Sequence, residues 1–210
     1  MSKKKLLIFE NEDKTFQETA DAENLLYIPH SFRCILCGPP SSGKSSVLKN
    51  IIINQKKPFD VIYLFHIDHS TDEYQDIDVV VLDELPEIED IDPKKKNLII
   101  IEDIDVKSLN KKQKSLLDRY FGYVSTHKNT SIAITCQQPY SIPPSLRRLS
   151  NVMCLWRGND LRAMGYLSQS FGYDYKYLSQ LFNVYCKTKH DFITFTDHNP
   201  KIRKNMTLVI

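Results

Sequence analysis

The sequence predicts a three-layer α/β domain with a mostly parallel central sheet and a crossover helix after most strands. Three observations carry that expectation. Apolar runs of strand length recur at residues 32–37, 61–65, 98–101, 131–135 and 152–156, and polar, helix-compatible stretches separate most of them. The first run leads through a glycine-bearing loop into a helix-compatible segment that reaches residue 54, so strand, loop and helix stand in register. The length, 210 residues with 41% hydrophobic and 26% charged, suits one domain that buries its own core.

The loop is Gly38, Pro39, Pro40, Ser41, Ser42, Gly43, Lys44, Ser45 and Ser46, and Gly38 to Ser45 match G-x-x-x-x-G-K-[ST]. A polyphosphate needs several N–H donors converging on one cluster of oxygens, and glycine permits the backbone angles and close approach that a side chain blocks. The N-terminus of the following helix adds its dipole and free amides. Lys44 is then the cation for the β- and γ-phosphate oxygens, and the Ser45 hydroxyl a ligand for Mg²⁺.

Composition narrows the alternatives. A net charge of +2 makes no bulk demand for nucleic acid, so such a surface must come from clustering. No apolar run approaches a membrane span, and Lys3, Lys4 and Lys5 precede only four apolar residues, too few for a secretion signal, so a cytosolic compartment is expected. Five cysteines, an odd number, fit reduced thiols. Cys34 and Cys37 form a C-x-x-C, and His66 and His69 share its spacing. Alternation along a strand sends the two thiols to opposite faces, which predicts buried strand residues rather than half of a zinc site.

In chain order, residues 1–30 read as a peripheral segment, with a short strand at 6–9 and an acidic loop or helix at 11–24. Pro58 stops the first helix. A third short strand is expected at 78–82, and residues 83–96, with six carboxylates and two prolines, read as a solvated acidic loop or equally as an insertion with a role of its own. Residues 97–103 then place four aliphatics before Glu102 and Asp103. Two carboxylates ending a strand suit a site opposite a phosphate loop, Glu102 by position for the Mg²⁺ shell and Asp103 for the attacking water, with exchanged or shared roles open. Residues 110–125 carry Leu116, Leu117, Tyr120, Phe121 and Val124 at helical spacing. The 131–135 strand ends in Cys136-Gln137-Gln138, where an amide either bonds both a γ-phosphate and a lytic water, and so senses which nucleotide is bound, or caps a loop. A proline-opened short helix at 142–151 bears Arg147 and Arg148. Beyond the 152–156 strand, Asn159-Asp160 and Asp174 are helix caps, Gly172 a break, and 191–196 a strand. The five tyrosines from Tyr166 to Tyr185 suit helix packing better than base stacking. Residues 199–210 read as a basic, then apolar tail.

Taken together, Gly38 to Ser45, residues 98–103, 126–132, Thr135 to Gln138 and 142–151 resemble the poxvirus-type viral genome-packaging ATPases of the FtsK-HerA superfamily of DNA-pumping motors. The resemblance spans residues 31–156. It implies a P-loop NTPase domain, at 31–198, of the additional-strand type. It also implies ATP hydrolysis with Mg²⁺ in a homo-oligomeric ring that moves double-stranded DNA into a preformed capsid of viral capsid proteins. The host-cell cytoplasm at the virus assembly site, and the virion, follow as locations. In that family a strand-terminal Gln corresponds to Gln137 and an arginine after the Ile-Pro segment to Arg147, which would complete a neighbouring subunit's site. This chain departs in reading Glu102-Asp103 where Asp-Asp or Asp-Glu is usual, and in doubling Gln137-Gln138. A nucleotide-gated scaffold and a small-molecule kinase are the alternatives.

Overall fold

Nine strands join one sheet among the residues that the computed structural model describes, which are 26, 28–66, 72–103, 105–106, 108–197 and 201–210. The strand expected at 6–9, the 11–24 segment and His69 lie outside the described residues. The strands are β1 (Arg33–Cys37), β2 (Val61–His66), β3 (Val80–Leu82), β4 (Asn97–Glu102), β5 (Thr130–Cys136), β6 (Val152–Trp156), β7 (Phe192–Thr196), β8 (Arg203–Lys204) and β9 (Leu208–Val209). Their order is β3-β2-β4-β5-β1-β6-β7-β8-β9. The six from β3 to β6 run parallel, and β7, β8 and β9 each pair antiparallel. β5 thus stands between β1 and β4, as the additional-strand type requires.

Strands covered on both faces must be apolar at nearly every position, and β4, β5, β6 and β7 are buried throughout. Alternation sorts their side chains: Ile35, Cys37, Ile99, Ile101, Ile132 and Ile134 fill one side of the sheet, Cys34, Leu36, Leu98 and Ile100 the other. Cys34 and Cys37 therefore lie in different cores, and all five cysteines are free and buried. Burial pushes the Cys34 thiol well above its ordinary range; a hydrogen bond with the Cys136 thiol and then burial do the same for Cys37. Both are inert packing residues.

α1 (Lys44–Ile53) covers one side with Leu48 and Ile51. The other side carries α2 (Lys111–Arg119), α3 (Pro144–Leu149), α4 (Leu161–Ser168) and α5 (Tyr175–Tyr185). α2 continues through a π turn (Tyr120–Val124) and a last α turn (Ser125–His127), and Leu116, Leu117, Tyr120, Phe121 and Val124 all face the core as their spacing predicts. Asp160 caps α4 by accepting from Ala163 N at 3.0 Å, and Asp174 caps α5 by accepting from Tyr177 N at 2.8 Å. Tyr173 stacks on Tyr177 with ring centroids 5.3 Å apart, so this part of the tyrosine patch is packing.

A helix follows β1, β4, β5 and β6, most of the six parallel strands, as expected, and among the described residues β2 and β3 lead into 3₁₀ turns (Asp72–Tyr74 and Ile88–Asp90). Two expectations need correction. The acidic stretch is more than solvated loop, since Leu85, Ile88 and Ile91 are buried beside α2. It is tied down by the Tyr120 hydroxyl, which donates to Pro86 O, and by Lys128 Nζ, which donates to Ile91 O at 3.2 Å. Finally, the residues expected as a tail form β8 and β9, with Ile202, Arg203 and Met206 buried, so this end belongs to the sheet.

Asp191 anchors that join. Its carboxylate accepts from Lys187 N and Thr188 N, both at 2.8 Å, from Asn205 Nδ2 at 3.2 Å and from Lys204 Nζ at 3.0 Å. Burial alone would push this carboxyl up, but the donors outweigh it and hold the group well below the usual carboxylate range. Folding therefore favours the ionised form. The stabilisation is complete above the ordinary Asp value, about 3.9, and is lost as pH falls from there toward the depressed folded value. Asp191→Asn is expected to melt at a lower temperature at pH 7 and to lose less between pH 7 and pH 3 than the wild type. Equal losses in the two proteins would contradict this.

Candidate nucleotide-binding site

The loop between β1 and α1 is shaped by what lies beneath it. A Cβ on Gly38 would stand 2.7 Å from Trp156 Cβ, so only glycine lets the chain cross the end of β6. Gly38 N donates to Cys136 O at 3.1 Å, tying the loop's start to the end of β5. Ser41 and Gly43 then turn with φ of 56° and 100°. No acidic side chain stands in the first turn of α1, so its amide-rich end is open to an anion. Lys44, buried, curls back over the loop, donating from Nζ to Gly38 O at 3.1 Å and Pro39 O at 2.9 Å.

From the start of α1, Ser45 Oγ donates to Glu102 Oε1 at 2.6 Å, joining the loop to the end of β4. Glu102 is only 2% exposed, and its Oε2 is buried with no hydrogen-bond partner. Burial pushes its carboxyl above the usual range, and the Ser45 donation offsets part of that rise. Tyr74, from the 3₁₀ turn after β2, stands close by. Its hydroxyl is also buried outside hydrogen-bond geometry, and burial, then the Glu102 charge, push the phenol well above its ordinary range. A buried carboxylate oxygen lacking a donor, beside a serine hydroxyl, is an oxygen set that fits a hard divalent cation such as Mg²⁺.

Asp103 leaves β4 with φ of 50°, held by its N–H donating to Thr135 Oγ1 at 3.0 Å. Its exposed side chain lines a cleft of about 270 Å³ with Asp105, Cys136, Gln137, Gln138 and Ser141. Gln138 O accepts from Ser141 N at 3.0 Å, opening a turn, and both glutamine side chains are exposed. Ser45 and Glu102 thus meet directly, Lys44 lies folded onto the same loop, and Asp103 and Gln137 share the adjoining cleft.

Arg147 stands apart. An arginine that completes a neighbour's site must reach the surface, yet Arg147 is 6% exposed. Its guanidinium lies 3.8 Å from the Tyr166 ring centroid, and Nη1 donates to Tyr166 O at 3.3 Å. Arg148, next in the chain, is the exposed one. The tyrosine that holds Arg147 belongs to a different helix, and the pattern of α3 carries no sign of it.

Four residues of the site carry no local signal: Tyr74 beside Glu102, Thr135 under Asp103, Trp156 under Gly38, and His190, whose Nδ1 lies 3.3 Å from Ser42 O across 148 positions. Each is placed by tertiary contact.

No family model and no curated protein matches the sequence. Solved structures do match. The genome packaging NTPase B204 from Sulfolobus turreted icosahedral virus 2, in complex with AMP, superposes with a TM-score of 0.59 at 16% identity, over 84% of this chain and 98% of that one. B204 from Sulfolobus turreted icosahedral virus, described as a DNA-packaging ATPase, gives 0.57 at 14% identity over 81% and 95%. The pCW3 conjugation coupling protein TcpA with ATPγS gives 0.55 at 16% identity over 80% of this chain and 58% of that one. The sheet order, the loop on β1 and the likeness to these structures agree: the chain has the mostly parallel α/β fold of the packaging NTPase and the coupling protein.

Proposed function

We propose that this chain is an ATP-hydrolysing motor of the poxvirus-type packaging class, moving double-stranded DNA into a preformed capsid as a homo-oligomeric ring. Its place of action is the host-cell cytoplasm at the site of virus assembly, and the virion. The observation that carries the reading is the Ser45–Glu102 hydrogen bond, which brings the loop and the strand-terminal acid into one site. In this reading the amides of Gly38 to Ser46 hold the phosphates, and Lys44 exchanges the Gly38 and Pro39 carbonyls for phosphate oxygens. Ser45 and Glu102 would hold Mg²⁺, with Asp103 able to share that task. When bound, the ion supplies positive charge to the phosphate oxygens. Asp103 orients the attacking water, and Gln137 in the same cleft, or Gln138 next in register, senses which nucleotide is bound. Arg147 serves a neighbouring copy once it leaves Tyr166. Among the described residues no helix is long and apolar enough to cross a membrane.

ATP turnover with and without duplex DNA tests this. Wild-type protein is expected to hydrolyse ATP faster with DNA, the stimulation falling steeply with salt as phosphate contacts are screened. Lys44→Ala is expected to lose turnover in both conditions. Nucleotide-dependent assembly with no turnover would support a scaffold instead, and phosphoryl transfer to a metabolite a kinase.

A further inference from the structure

The two ends of a nucleotide must leave the phosphate loop in different directions. Glu102, Asp103 and the Gln137 cleft lie on the β4–β5 side of β1, which is where a terminal phosphate belongs. A nucleotide whose terminal phosphate sat there would lead its sugar and base away from β4 and β5, toward β6 and β7 on the other side of β1. Phe192, the first residue of β7, pairs with Trp156, the last of β6, so the segment at 186–191 stands at the phosphate-loop end of the sheet.

That segment closes on the loop. His190 Nδ1 lies 3.3 Å from Ser42 O, and 3.7 Å from where a Cβ on Gly43 would stand. A carbonyl only accepts, so Nδ1 carries the proton in this contact, and Nε2 is left free of it. The segment's shape is set from below by Asp191, whose carboxylate gathers Lys187 N, Thr188 N, Lys204 Nζ and Asn205 Nδ2. Thr188, Lys189 and His190 stay exposed above this anchor. A fixed turn thus presents an imidazole at the bend of the loop.

Resting on the ATP-binding reading above, we infer that His190 is a ligand for the nucleoside end of the bound nucleotide, and that the α5–β7 segment is the second wall of the site. Phosphates alone need only the loop; the sugar and base need His190.

Calorimetric titration of the full chain in Mg²⁺ with ATP, ADP and inorganic tripolyphosphate separates the two parts of the ligand. His190→Ala is expected to weaken ATP and ADP about tenfold, the effect of one good polar contact. Tripolyphosphate affinity is expected to stay as in the wild type. His190→Gln, which keeps an N–H for Ser42 O but removes the ring, is expected to lose the same affinity for ATP. Equal losses for ATP and tripolyphosphate, recovery in His190→Gln, or unchanged ATP and ADP binding in His190→Ala would each overturn the inference. If the wild type bound neither ATP nor tripolyphosphate, the ATP-binding reading would fall first and take this one with it.

Discussion

Glu102→Gln is expected to abolish ATP turnover while making the nucleotide-free protein more stable. On the catalytic side, glutamine keeps the shape and an acceptor for the Ser45 hydroxyl, but loses the charge that would hold Mg²⁺ beside the phosphates. Losses of about 10²–10⁴-fold in kcat are typical when a group acting on the reacting centre is removed. Nucleotide affinity is expected to change far less, since the amides of Gly38 to Ser46 remain. On the stability side, a carboxylate 2% exposed with one oxygen lacking a donor is costly to ionise. Its folded value is raised above the unfolded one, so folding favours the protonated form. The cost is absent below the ordinary Glu value, about 4.3, and grows as pH rises from there through the folded value. Urea unfolding should therefore show the stabilisation by Glu102→Gln at pH 7 and little of it at pH 4. A variant no more stable than wild type at pH 7 would contradict this account of Glu102.

Trp156→Ala is expected to cost about 3–5 kcal/mol, the range for deleting a large aromatic from a packed core. Trp156 is 1% exposed and stacked on Phe192 with centroids 4.5 Å apart, and the backbone of Gly38 rests on it. The loss should extend to function. With the ring gone, the first residue of the phosphate loop has a void beneath it, and nucleotide affinity should fall along with the melting temperature. The converse change, Gly38→Ala, sets a methyl 2.7 Å from Trp156 Cβ and 3.0 Å from its Cγ, atoms that rotation cannot move far. It should displace the loop and weaken nucleotide with a smaller loss of global stability. Thermal denaturation and nucleotide titration of both variants check this; a Trp156→Ala protein that binds ATP like the wild type would contradict the support role.

The two variants touch parts of the chain that differ in how far the sequence disclosed them. β1, the glycine loop and α1 were legible because strand, turn and helix signals are local and adjacent. The limits of β6 and the caps Asp160 and Asp174 were legible for the same reason. β8 and β9, two residues each, carry no period of their own and form only because β7 offers an edge. Leu85, Ile88 and Ile91 lie too far apart among carboxylates to form a pattern, yet α2 gives them a surface to bury against. The π turn in the helix after Arg119 carries only Gly122 as a mark, and one glycine does not separate a π turn from an α turn. At the site, Lys44, Ser45, Glu102 and Asp103 were legible as motif residues. Arg147 was legible as a charge but not as a buried one, because Tyr166 comes from a different helix. His190 and Tyr74 come to the site from distant segments, and no spacing rule reaches that far.

The central claim is that one site spans the loop and the end of β4, and a crystal structure with a magnesium-bound, non-hydrolysable ATP analogue tests it most directly. The account predicts Lys44 Nζ withdrawn from Gly38 O and Pro39 O and bonded to phosphate oxygens, with the metal between Ser45 Oγ and Glu102. A nucleotide bound elsewhere, with Lys44 still on its two carbonyls and the Ser45–Glu102 bond intact, would contradict it.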